Sequence, residues 1–175
     1  MVLRITRDQM LMGMALLIAK RGTCTRGQVG AVVSRDARVI AMGYNGAPAG
    51  LPHCDHTDEQ FKWELGHEVL ENIEWAVTPG KIMEMPAAGV EITTGGCQIA
   101  VHAEQNAIAF AARHGVALDG ADLHCTHAPC ASCARSIINA GIRRVFYATP
   151  YRLTDGIELL NMAGLEVFDM SDDAL

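Results

Sequence analysis

Near the start of the chain the apolar positions change period twice, and each change marks an element. After Thr6 they recur at Met10, Met14, Leu17 and Ile18, the spacing of one helix face, and Thr6 with Gln9 three residues later has the form of a capping box. A first helix is therefore expected up to Gly22, with Met10, Met12 and Met14 as core filler. Valine-rich runs at 28–34 and 39–44, joined across Arg35-Asp36-Ala37-Arg38, predict an antiparallel hairpin, and Tyr44-Asn45-Gly46-Ala47-Pro48 turns the second strand into a loop.

The pattern is least regular over about 51–97. Phe61, Leu65, Val69 and Ile73 form an i, i+4 stripe that stops at Pro79-Gly80, so this stretch reads as an insertion carrying one helix. Beyond it helices at 103–113, 131–140 and 156–162 alternate with strands at 121–126, 144–148 and 165–168, and Gly115, Gly141 and Gly164 fall where helix C-caps belong. Alternation of this kind implies right-handed crossovers between parallel strands. The expectation is an α/β fold with a mixed five-stranded sheet flanked by helices, antiparallel at its start and parallel later. It forms a single domain over 1–175, interrupted by the 51–97 insertion.

Two short segments carry chemistry. Cys130 and Cys133, three apart behind Pro129 at the start of a predicted helix, can converge on one ion, and the helix N-terminus favours their thiolates. Pro129 fits a first-turn position, where an N–H has no partner within the helix. His102 supplies a third ligand from the start of another helix, which leaves the fourth position of a tetrahedral zinc open to water. Two thiolates leave the metal little charge with which to acidify that water, so a nearby base matters, and Glu104 is placed to be it. Two residues within a helix point apart, but His102 at the helix edge is free of helical geometry, so both side chains can face one pocket. The competing readings are a closed four-ligand knuckle or two buried thiols, and His102 and Glu104 at this spacing favour the catalytic one. His127 would close the site as a fourth ligand, so it is expected to line the pocket or cap its strand. His124 and Cys125 alternate, one toward the core and one toward a pocket or solvent.

Composition narrows the choices. The six cysteines are too sparse for a secreted disulfide scaffold, and no apolar run approaches the roughly 20 residues that span a bilayer, so a soluble cytoplasmic protein is expected, with no membrane partner. A formal charge of −6 opposes binding to a long nucleic acid but leaves room for a single phosphate held by one or two arginines.

Four segments together resemble the deoxycytidylate (dCMP) deaminase family. They are Cys24 with residues 29–33, the loop 43–50, His102-Ala103-Glu104-Gln105-Asn106-Ala107-Ile108, and residues 128–134 around Cys130 and Cys133. The resemblance implies a three-layer cytidine deaminase-like fold and hydrolysis of dCMP to dUMP, feeding thymidylate synthesis. It implies zinc on His102, Cys130 and Cys133, with Glu104 passing a proton from water to N3 of the base as hydroxide attacks C4. It places Asn45 and the backbone around Ala103 in the substrate site, and Arg26, Tyr151 and Arg152 are the candidates for phosphate contact. Part of the family carries a second, structural zinc, for which Cys24, Cys54 and Cys97 with His53 or His56 are candidates, although unpaired loop cysteines fit equally without a C-x-x-C spacing. The resemblance also implies a homohexamer whose 43–50 loop binds dCTP as activator and dTTP as inhibitor, each with Mg2+. The alternatives are a deaminase of dCTP or of a tRNA base, or a non-catalytic zinc-binding module.

Overall fold

The computed structural model describes residues 4–24, 27–51, 53 and 100–172. The helix expected near 61–73, together with Arg26, Cys54, His56 and Cys97, lies outside these residues.

Helix α1 (Arg7–Ala19) starts at the capping box: the Thr6 hydroxyl accepts the Gln9 N–H at 3.1 Å, and the Gln9 side-chain Oε1 accepts the Thr6 N–H at 2.9 Å. Its buried side is not the expected stripe. Leu11, Met12, Ala15 and Ala19 face inward, while Met14 is exposed and Leu17 is 72% exposed. Apolar residues surround this helix, so periodicity could not choose a face. Close approach does: a Cβ at Gly30 would come within 2.1 Å of the Ala15 carbonyl oxygen, and only small residues on the helix fit against that strand.

Strands β1 (Gly30–Arg35) and β2 (Arg38–Tyr44) pair antiparallel, with Arg35 opposite Arg38. Then come α2 (Ala103–Arg113), β3 (Asp122–His127), α3 (Ala131–Asn139), β4 (Arg144–Thr149), α4 (Asp155–Met162) and β5 (Glu166–Asp169). The sheet order is β2-β1-β3-β4-β5, with β1 antiparallel to both neighbours and β3, β4 and β5 parallel. Gly115, Gly141 and Gly164 end their helices at φ of 66°, 74° and 83°, the left-handed conformation expected of C-cap glycines. β1 starts at Gly30 rather than 28 because the Asn45 side chain, not a neighbouring strand, takes the Val29 N–H at 2.8 Å.

The layers follow from strand alternation. On one face Val32 and Phe146 pack under Leu11, Met12 and Ala15 of α1. On the other, Ala31, Val33, Leu123, Cys125 and Val145 pack under α2, α3 and α4 through Ala107, Ala111, Ala134, Ile137 and Leu160. His124 and Cys125 alternate as expected, one toward each face of the sheet, and with both faces covered neither meets solvent. His124 instead stacks on Phe146 at 4.4 Å and bonds Asp8 of α1 at 3.1 Å.

The hairpin turn supplies a test. Asp36 and Ala37 both have positive φ, 52° and 59°, as a two-residue type I′ turn requires, and alanine is poorly suited to the second position. Ala37→Gly should stabilise the protein by about 1 kcal/mol, read as a rise in the urea midpoint at unchanged slope.

Candidate active site and metal centre

Two helices begin at the same place. His102 is the N-cap of α2, with extended backbone (φ −70°, ψ 153°), and Cys130 is the N-cap of α3 (φ −73°, ψ 169°), with Cys133 in its first turn. Pro129 therefore stands one residue before the cap rather than in the first turn, fully buried. Because His102 lies outside the helix proper, its ring and the Glu104 carboxyl of the first turn are not held to opposite sides.

His102 Nδ1 lies 3.3 Å from Cys133 Sγ and 3.6 Å from Cys130 Sγ, and the three ligand atoms all fall within 4.8 Å of one another. A tetrahedral zinc with ordinary Zn–S and Zn–N bonds needs S···N edges of about 3.5 Å. Among the described residues, these three fit that ion in donor type and spacing, and three ligands leave one position open. Their protonation agrees. The hydrogen bond from Cys133, against the opposing effect of burial, brings the Cys130 thiol down to about 3, helped by His102 and the Cys133 backbone. Cys133 is pushed upward for the complementary reason, since Cys130 and burial both hold its proton in place. A divalent cation replacing that shared proton would satisfy both sulfurs.

Glu104 is 4% exposed, and burial raises its carboxyl above the ordinary value despite the opposing pull of its own backbone N–H and of His102. It also hydrogen-bonds Cys133, so the carboxyl sits against the ligand cluster. A carboxyl whose neutral form burial favours, beside a metal site with an open position, is placed for general acid and base work. Cys125 of β3 lies in its field, and burial followed by Glu104 pushes that thiol well up, so it stays a neutral part of the floor.

Glycines set how deep the two helices sit. A Cβ at Gly43 of β2 would lie 2.3 Å from the Ala103 carbonyl oxygen and 2.5 Å from the Ala107 N, so α2 can lie directly on the strand only over glycine. At Gly156 a Cβ would lie 1.9 Å from the Pro129 carbonyl oxygen, which brings the start of α4 against the cysteine loop. Neither contact is readable from the sequence, where both glycines resemble ordinary turn or cap residues.

The other expected residues fall around this centre in different ways. Ala103 opens α2 and is fully buried. Asn45 is buried, and its amide is spent on backbone: Oδ1 accepts the Val29 N–H at 2.8 Å and Nδ2 donates to the Gly27 carbonyl at 2.8 Å, which fixes the segment leading into β1. Tyr151 and Arg152 lie between β4 and α4, with the guanidinium 5.8 Å from the tyrosine ring centre. Two positioning contacts had no signal in the spacing of the motifs. Asn106 Nδ2 donates to the Tyr44 carbonyl at 2.9 Å, and Gln105 Nε2 donates to Ser132 Oγ at 3.3 Å, linking the first turns of α2 and α3.

Gly156→Ala should push α4 off the cysteine loop, destabilising the fold by about 1–3 kcal/mol. Thermal melts should drop, and zinc should pass to a competing chelator faster than from the parent protein.

Comparison with known proteins gives this geometry its relatives. Residues 5–149 match the model of the cytidine and deoxycytidylate deaminase zinc-binding region. The chain is 36% identical to ComE operon protein 2 of Bacillus subtilis, over 98% of this chain and 75% of that one. It is 32% identical to the deoxycytidylate deaminase of Enterobacteria phage T2, over 89% of this chain and 88% of the relative. Among solved structures, the dCMP deaminase of cyanophage S-TIM5 in complex with dCMP and dUMP superposes with a TM-score of 0.69 at 29% identity, covering 97% of this chain and all (100%) of the other. With the open His, Cys, Cys cluster, the buried glutamate and the mixed five-stranded sheet already in place, the chain belongs to the cytidine and deoxycytidylate deaminase family of hydrolases.

Proposed function

We propose that this protein is a zinc-dependent deoxycytidylate deaminase that converts dCMP to dUMP and ammonia. The observation that carries the reading is the buried Glu104 carboxyl set against a three-ligand cluster with an open position. Relatives named deoxycytidylate deaminase, aligned over most of the chain, point to the substrate.

His102 Nδ1, Cys130 Sγ and Cys133 Sγ would hold the zinc. Bound there, the metal would supply a polarised water within reach of the base. Glu104 would take a proton from that water and deliver it to N3 of the cytosine as oxygen bonds to C4. The same carboxyl would then carry a proton to the exocyclic nitrogen, which leaves as ammonia. Burial suits Glu104 to this shuttle, because it narrows the gap between the carboxyl and the groups it must protonate. Ala103 would present its backbone to the base. Asn45 would shape the substrate wall through the segment it ties down, and Arg26, Tyr151 and Arg152 would meet the phosphate.

Regulation and assembly extend the same reading. A cavity of about 630 Å3 beside the 43–50 loop is lined by Lys20, Arg21, Thr23, Tyr44, Gly46 and Asn106 among others. Two cations and glycine backbone suit a triphosphate with Mg2+, so dCTP and dTTP are the proposed effectors. Met14, Leu17 and Met42 leave apolar surface exposed, in keeping with a homo-oligomer, proposed as a hexamer. A single deaminase domain interrupted at about 51–97, a structural zinc involving Cys24, and a cytoplasmic role supplying dUMP for thymidylate synthesis complete the proposal. No helix among the described residues is long and apolar enough to cross a membrane.

Ammonia release assayed on dCMP, CMP, cytidine and dCTP tests the assignment: dCMP should be preferred, and turnover of another of these alone would refute it. Glu104→Gln should keep zinc while turnover falls about 10²–10⁴-fold. Cys130→Ala should lose the metal, as metal analysis would show. For the effectors, dCTP should lower and dTTP raise the dCMP concentration giving half-maximal rate, because an effector acts only through unequal affinity for two states.

A further inference from the structure

His127, expected to line the pocket or cap its strand, is the last residue of the central strand β3. β3 runs between β1, antiparallel to it, and β4, parallel to it, so the carboxyl end of β3 lies between the start of β1 and the end of β4. Ligands of open α/β sheets gather at such an end. His127 pairs in register with Thr149, and the Ala128 N–H donates to the Thr149 carbonyl at 2.8 Å. Tyr151 and Arg152 lie two and three residues beyond Thr149 in the β4–α4 loop, while Cys130 lies three residues beyond His127.

A short relay reaches the ring from β1. Gly30 of β1 donates its N–H to Thr126 Oγ1 at 3.2 Å, and Thr126 Oγ1 lies 3.1 Å from His127 Nδ1. The threonine oxygen is thus already an acceptor, and its one proton is free to go to Nδ1. With that proton given to Nδ1, the ring proton lies on Nε2. Burial also holds the imidazole below its ordinary pKa, which favours the neutral ring. Nε2 makes no hydrogen bond among the described residues, and His127 is half-buried.

Depth tells which part of a nucleotide reaches it. Glu104, where the reacting edge of the base would sit, is sealed at the inner end. A nucleotide extending outward from there brings its phosphate to the rim that carries Tyr151 and Arg152. We propose that His127 determines specificity in this site: its Nε2–H donates to a phosphate oxygen of the bound nucleotide and so helps distinguish nucleotide from nucleoside. The proposal rests on the nucleotide deaminase reading given above.

Calorimetric titration of the zinc-loaded full chain with dUMP and with deoxyuridine tests it. Loss of one hydrogen bond to a charged acceptor should weaken dUMP binding about tenfold to a hundredfold in His127→Leu, with deoxyuridine affinity and zinc content unchanged. His127→Gln, which keeps a neutral N–H donor, should recover part of the loss, and Thr126→Val, which frees the ring to turn, should weaken dUMP less than His127→Leu does. Equal weakening of both ligands, loss of zinc from both His127 variants, or unchanged dUMP affinity in His127→Leu would each overturn the assignment. If the parent protein turned over dCMP while these results failed, His127 alone would be misassigned. A parent protein that neither binds dUMP nor releases ammonia from dCMP would refute the nucleotide deaminase reading together with it.

Discussion

Everything in this molecule's chemistry depends on two helix N-termini being brought to one point at the edge of a sheet. The N-caps and first turns of α2 and α3 supply all three ligand atoms and the buried carboxyl, and the ligand atoms lie within 4.8 Å of one another. Helix starts concentrate unpaired N–H groups and positive potential, so they favour the thiolates a metal requires. Like charges crowded at one place would ordinarily repel. Here the glycines under α2 and against the cysteine loop remove the atoms that would hold the elements apart.

The depth of Glu104 follows from the same packing. Along its buried side α2 carries only Ala103, Ala107 and Ala111 besides the glutamate. A helix with so little bulk settles close to the strands, and the one long side chain among those alanines is carried below the surface. The cost of burying an acid is thus accepted as a by-product of tight alanine and glycine packing. It leaves a carboxyl whose neutral form is favoured enough to be useful.

The sequence made the site more legible than the packing around it. Ligand identity is written in residue type and spacing, since few arrangements other than an open zinc site require His102, Glu104, Cys130 and Cys133 together. Element order was legible because turns and cap glycines punctuate it, and Gly115, Gly141 and Gly164 do adopt the left-handed caps. The buried face of α1 was not, because a helix apolar all round gives periodicity no contrast and Gly30 made the choice. Nor could the amide of Asn45 be placed in advance: whether it meets a ligand or the backbone at Gly27 and Val29 depends on two loops meeting in space.

The order of strands bears on how the chain reaches this state. β1 is flanked by β2, made immediately after it, and by β3, whose contact with it spans a long intervening stretch; the bond from Gly30 to Thr126 alone closes a separation of 96 residues. During synthesis the hairpin and α1 therefore wait with one edge unpaired, and contacts of such high order make folding slow and exposed to wrong pairing. The metal ligands come from the segments that bracket β3, so they cannot assemble before that central strand has docked. An ion held by all three residues would therefore report that the central strand has found its place between its neighbours.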